Sequence, residues 1–233
     1  MENLRQILAK HGFSFKKQFG QNFISDTNLL KSIVAAADAE GATVLEIGCG
    51  AGTLTREIAA KAKKVIAYEI DTKLQPVLAE TLAGVENAEV VFRDFLKADL
   101  KALEAELPPY LVVANLPYYI TSPLVMKFIE ESEKAEKLVI MVQDDVAKRF
   151  CAAAGTADYG AITASIARRT SAETVKFVPR KMFYPVPNGD SAVVKLTFIK
   201  DRIPVKSAKL YRETVRAAFL SRMKTLENSR LNA

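Results

Sequence analysis

One histidine, two cysteines and no long apolar run: these scarcities narrow the function of this 233-residue chain before any motif is considered. With His11 as the sole imidazole, histidine-rich zinc chemistry and a Ser-His-Asp triad are both argued against. Cys49 and Cys151 form neither a disulfide framework nor a metal-ligand spacing, so free thiols and no metal are expected. No apolar stretch approaches the ~18 residues that a membrane span needs. Met1–Lys10 carries no apolar signal core, and nothing suggests export. The expectation is a soluble, cytoplasmic, monomeric protein with no membrane partner. Hydrophobic residues make up 49% and charged residues 26%, which excludes collagen, rods and wholesale disorder. The length suits one full domain with a small appendage.

Charge is unevenly spread. The net is +6, but residues 1–20 carry +3, residues 21–162 carry −7 and residues 163–233 carry +10. An acidic middle between basic ends suggests a polyanion gripped from both ends of the sequence. The plainer alternative is lysine-rich helices with solvated faces.

The chain alternates strands and helices. Thr43–Ile47 reads as a buried strand, and Lys64–Glu69, Ala88–Phe92, Tyr110–Ala114 and Lys137–Val142 read as further strands. Helices are expected over Thr53–Ala62, Thr72–Leu82, Pro123–Glu131 and Asp144–Ala153. That rhythm means βαβ units and a parallel sheet with helices on both faces. Thr174–Val178 and Ser191–Phe198 leave no room for a full helix between them, so they are expected to pair antiparallel at one edge. The whole is an α/β fold with a seven-stranded, mostly parallel sheet and an antiparallel edge strand. A last helix is expected over Ser207–Ser221.

The motifs sit at strand ends, where open α/β sheets bind ligands. Glu46-Ile-Gly48-Cys-Gly50-Ala-Gly52 follows the first of these strands. Its glycines allow close backbone approach to a ligand, although a ligand-free tight turn would use them too. The dinucleotide fingerprint is not met, because position 53 is Thr. Glu69 ends the second strand, where a carboxylate can accept hydrogen bonds from ribose hydroxyls; otherwise it is a solvated strand-end charge. Asp94 could accept from an adenine amino group or simply cap a turn. Asn115-Leu116-Pro117-Tyr118 ends the fourth strand, and this pattern resembles motif IV of methyltransferases that act on exocyclic amino groups, which implies the chemistry that follows. Adenine N6 is a poor nucleophile because its lone pair is delocalised into the ring. Two acceptors, the Asn115 side-chain oxygen and the carbonyl of Leu116 or Pro117, can hold the N6 hydrogens and aim the lone pair at a methyl donor. Tyr118 offers a stacking face for an extruded base, and the proline stiffens the turn.

Taken together, these runs resemble one family. E-x-G-x-G-x-G and N-L-P-Y resemble motifs I and IV of S-adenosylmethionine-dependent amino-methyltransferases. Lys17-Gln-Phe-Gly-Gln21-Asn22-Phe23-Ile24, Asn115–Pro123, Phe183–Leu196 and Ala217–Leu226 resemble segments of the ribosomal small-subunit RNA adenine dimethyltransferases. The resemblance covers about residues 10–228. It implies a Rossmann-like, class I methyltransferase fold, with S-adenosylmethionine as methyl donor and S-adenosylhomocysteine as product. It also implies dimethylation at N6 of two adjacent adenosines in small-subunit (16S) ribosomal RNA, with the immature small subunit as partner. The cofactor site it implies comprises Gln21, Asn22, Ile24, Glu46, Gly48, Gly50, Glu69, Ile70, Asp94, Phe95 and Asn115. The target adenine would meet Asn115, Leu116, Pro117 and Tyr118, with Phe183 closing a sandwich; Phe183 could equally be a packing aromatic. Residues 1–200 would form the catalytic domain with its basic arm. Residues 201–233 would be the stub of a helical RNA-binding domain that family members continue for several dozen residues.

Two local departures stand out: Asn188-Gly189 precedes Asp190-Ser191 where the family has x-Val, and Met223 replaces an arginine. Two other readings compete. One is a large-subunit, erythromycin-resistance type of dimethyltransferase; Leu116 and the D-S-A-V-V-K-L segment favour the small-subunit enzyme. The other is a ribosome-assembly RNA-binding factor without turnover, which the intact Asn115–Tyr118 run argues against. A small-molecule methyltransferase would leave the basic tail unexplained.

Overall fold

The computed structural model describes residues 4–15, 21–24, 26–200 and 202–219. The run Lys17–Gly20, the Arg222–Leu226 motif and the last residues of the expected stub lie outside them. Helix α1 (Leu4–Lys10) leads to a two-residue strand β1 (Phe23–Ile24) and helix α2 (Thr27–Ala37). The alternating body follows: β2 (Thr43–Ile47), α3 (Thr53–Ala59), β3 (Lys64–Glu69), α4 (Gln75–Thr81), β4 (Ala88–Phe92), α5 (Leu100–Ala105), β5 (Tyr110–Asn115), α6 (Tyr118–Glu131), β6 (Ala135–Gln143) and α7 (Asp144–Phe150). It closes with α8 (Ala161–Ala167), β7 (Thr170–Val178), β8 (Phe183–Tyr184), β9 (Ser191–Phe198) and α9 (Ala208–Phe219).

The main sheet has seven strands in the order β4-β3-β2-β5-β6-β9-β7. The pairings among β4, β3, β2, β5 and β6 are parallel, and β9 runs antiparallel to both β6 and β7. The expected antiparallel pair is therefore present, with β7 outermost. Side chains alternate across the sheet as the pleat requires. On β5, Leu111 and Val113 join the core under α2, α3 and α4, while Tyr110, Val112 and Ala114 join the core under α5, α6 and α7. Both faces are covered, which is why the strands read as continuous apolar runs.

Helix α6 starts five residues earlier than expected and runs through Pro123. The ring costs one backbone hydrogen bond, while burial of Leu124, Val125, Phe128 and Ile129 holds the helix together. Helices α1, α2, α5 and α8 and the short pair β1–β8 were not anticipated. From β2 the chain winds outward through β3 and β4, and from β5 outward the other way. The crevice between the carboxyl ends of β2 and β5 is thus the topological switch point.

Candidate active site

A pocket opens at that switch point. Its lining includes all the sequence-derived candidates: Gln21, Asn22, Ile24, Glu46, Gly48, Gly50, Glu69, Ile70, Asp94, Phe95, Asn115, Leu116, Pro117, Tyr118 and Phe183. It also includes Thr53, Arg93 and Leu124, to which no motif gave a role, and Tyr119, which lies within Asn115–Pro123 but was assigned none.

The glycine loop leaves β2 with Gly48, Gly50 and Gly52 all at positive φ. The Gly48 and Cys49 N–H groups both donate to the Tyr68 carbonyl, at 2.8 and 3.1 Å. A Cβ on Gly50 would lie 2.8 Å from the Phe23 ring, so only glycine fits between loop and arm.

Glu69 is the clamp of this loop. Its Oε2 accepts from Gly50 N at 2.8 Å, and its Oε1 accepts from Ile70 N and Asp71 N, both at 2.8 Å. Burial pushes its carboxyl above the ordinary range, and the three backbone donors oppose that. A carboxylate has about four acceptor positions, so roughly one remains for a ligand hydroxyl. Hydrogen bonds from ribose hydroxyls were expected at Glu69, but three of its acceptor positions are used within the protein.

Glu46 lies beneath the loop and is 1% exposed. Burial pushes its pKa up to about 8, with Thr55 acting in the opposite direction and Glu69 adding to the rise. Neither Glu46 Oε2 nor Thr55 Oγ1 makes a hydrogen bond of normal geometry. At neutral pH this carboxyl is largely protonated. Asp94 caps the turn at Phe95–Lys97 by accepting from Leu96 N at 3.0 Å, while its Oδ2 lies 3.8 Å from Lys97 Nζ. The capping role and a place in the pocket wall thus coexist.

Asn115 ends β5, and its Nδ2 donates to the Asn22 carbonyl at 3.1 Å. That bond uses the NH₂ end of the amide and leaves Oδ1 as the end available to a ligand. Tyr118 begins α6 and is tied through its hydroxyl to Ser191 Oγ at 3.1 Å. Ser191 belongs to the D-S-A-V-V-K-L run, so this contact gives the run a physical part in the site. Phe183 is buried and pairs with Ile24 through the backbone. His11 is far from this chemistry: its Nε2 lies 2.6 Å from Glu80 Oε2 and it is not part of the lining.

Residues 12–232 match the sequence family described as ribosomal RNA adenine dimethylase. The chain belongs to that family. Among curated family relatives, ribosomal RNA small subunit methyltransferase A of Geobacillus thermodenitrificans is 47% identical, over 98% of this chain and 80% of its own length. The protein of that name from Bacillus licheniformis is 44% identical with the same coverage. A solved dimethyladenosine transferase from Plasmodium falciparum superposes with a TM-score of 0.78 at 30% identity, covering 89% of this chain and 74% of its own. The 23S rRNA methyltransferase ErmE superposes at 0.75 with 31% identity, covering 91% and 84%. This adenine dimethylase-family chain thus shares its fold with a dimethyladenosine transferase and with a 23S rRNA methyltransferase. The two curated relatives named above carry the small-subunit name.

Proposed function

We propose that the chain transfers methyl groups from S-adenosylmethionine to N6 of two adjacent adenosines in small-subunit (16S) ribosomal RNA, giving N6,N6-dimethyladenosine. Its partner would be the immature small subunit in the cytoplasm. The observation that carries this reading is the Asn115 amide: its nitrogen is held by Asn22, and its oxygen is left for the pocket where the glycine loop meets Tyr118 and Phe183.

The residues present suit the cofactor. The glycine loop admits close backbone approach, Glu69 keeps an acceptor position for a ribose hydroxyl, and Asp94 stands where an adenine amino group could donate. Ile24 and Asn22 close the near side. When bound, S-adenosylmethionine supplies an electrophilic methyl on a sulfonium. Asn115 Oδ1 accepts one N6 hydrogen, and the Leu116 carbonyl accepts the other, because the Pro117 carbonyl already accepts from Ile120 N at 3.1 Å and Thr121 Oγ1 at 3.4 Å. That draws the nitrogen toward tetrahedral geometry and turns its lone pair to the donor. Tyr118 and Phe183 hold the extruded ring between them. The N6 proton leaves after the methyl arrives, so no imidazole base is required. Residues 1–200 would do this chemistry, and the basic 201–233 segment would help to grip the RNA.

The test is mass mapping of ribosomal RNA after incubating the chain and labelled cofactor with unmethylated small subunits and, in a parallel reaction, unmethylated large subunits. Two adjacent dimethyladenosines in small-subunit RNA are expected. Label confined to large-subunit RNA would favour the resistance-type reading, and label on neither would overturn both.

A further inference from the structure

Two side chains at the mouth of the pocket have no part in the chemistry proposed above. Arg93 and Tyr119 both line the pocket and both are exposed, Tyr119 at 60%. Tyr119 follows Tyr118 on the first turn of α6, and Ile120 N fixes that turn by donating to the Pro117 carbonyl at 3.1 Å. The two rings have different surroundings. Tyr118 is half-buried, and its hydroxyl is tied to Ser191 Oγ at 3.1 Å. Tyr119 stands about 100° further round the helix axis. Among the described residues its side chain makes no hydrogen bond and no ring contact.

Arg93 comes directly after β4. The turn just beyond it packs on α6, with the Phe95 and Phe128 rings stacked at 5.5 Å, which braces the two elements that carry the rim. Among the described residues the Arg93 guanidinium forms no ion pair and no hydrogen bond. The adjacent carboxylate, Asp94, lies 3.8 Å from Lys97 Nζ instead. Residues 21–162 carry a net charge of −7, yet the rim of their pocket presents a cation with no protein anion to neutralise it.

We infer that Tyr119 and Arg93 clamp the nucleotide next to the extruded adenosine: the Tyr119 ring stacks the neighbouring base, and Arg93 holds a phosphate of the same step. The inference rests on the proposed function, which puts one adenosine between Tyr118 and Phe183. Extrusion leaves the neighbouring base without its stacking partner. An exposed aromatic ring at the mouth replaces that partner, and any base fits it because each has a π face. The guanidinium matches a phosphate with parallel N–H donors and keeps its charge at any working pH. The clamp selects a strand over a lone nucleoside. Where two adjacent adenosines are both targets, the one outside the pocket is held while the other reacts.

The experiment measures KM and kcat for methyl transfer to unmethylated small subunits, with affinity for S-adenosylhomocysteine in parallel. Tyr119→Ala should raise KM for the particles roughly tenfold, and Tyr119→Phe, which keeps the ring, should restore it. S-adenosylhomocysteine affinity should stay within about twofold of wild type in both. If Tyr119→Ala fails to fold, Tyr119→Leu fills the space without a π face and serves in its place. Arg93→Ala should also weaken particle binding and reduce the slope of log affinity against log salt by about one; Arg93→Lys, which keeps the charge, should restore the slope. A KM within about twofold of wild type in folded Tyr119→Ala overturns the inference. So does a loss of S-adenosylhomocysteine affinity as large as the loss for the particles, which would put the ring over the cofactor. An unchanged salt slope in Arg93→Ala overturns the phosphate contact. Wild type that methylates no particles overturns the proposed function, and the inference with it.

Discussion

Glu69 and Glu46 are both buried carboxyls under one loop, yet they do different work. Glu69 spends three acceptor positions on Gly50, Ile70 and Asp71. Glu69→Ala should therefore weaken cofactor binding through one lost charge-assisted bond, ~1.5–3 kcal/mol, and also slacken the loop. Calorimetry should show cofactor affinity lowered by roughly ten- to a hundredfold, with a lower melting temperature; unchanged affinity would remove Glu69 from the site. Glu46 holds its proton up to about pH 8 in the folded chain, whereas an unfolded glutamate releases it near pH ~4.3. Between those values the native state binds more protons than the unfolded state, so the contribution of Glu46 to stability falls as pH rises. Below that window the penalty vanishes. Glu46→Gln, which mimics the protonated form, should be near neutral at pH 4.5 and stabilising by a few kcal/mol at pH 8. Melts at the two pH values check this; an equal effect at both would contradict it. The motif residues were legible because each chemistry calls for a particular side chain at a strand end. The internal bonds of Glu69 and the tie between Tyr118 and Ser191 were not, because they depend on where distant segments meet.

Helix α5 is anchored by a buried network rather than by an apolar stripe alone. Glu104 accepts from Tyr110 Oη at 2.7 Å, Ser132 Oγ at 2.5 Å and Glu133 N at 2.9 Å. Truncation would leave several buried donors unpaired, at ~1–3 kcal/mol each. Glu104→Ala should lower unfolding free energy by about 3 kcal/mol or more in denaturant titration, without changing cofactor affinity per folded molecule. A loss below about 1 kcal/mol would show that the network relaxes. The five parallel strands were readable from their apolar runs, since a sheet covered on both faces needs them. The start of α6 was not, because Pro123 reads as a helix boundary while the packing of Leu124 and Phe128 overrides it. The β1–β8 ribbon has two residues on each strand, too few to show any period.

For the whole molecule, the uneven charge and the pocket point to the same partner. Cations at both ends of the sequence would displace counterions from RNA, so affinity for small subunits should fall at least about tenfold between 50 and 200 mM salt. A flat dependence would count against the polyanion reading. None of the helices among the described residues is long and apolar enough to cross a membrane. The account stands or falls on Asn115, where chemistry, fold and arm converge. Asn115→Asp keeps an acceptor but cannot donate to the Asn22 carbonyl, so it should retain part of the activity with a disturbed arm. The most direct measurement is the single-turnover rate of methyl transfer by Asn115→Ala, at saturating cofactor and saturating small subunits. The account predicts a folded variant that still binds both and is slower by roughly 10²–10³-fold. A rate close to wild type would contradict it.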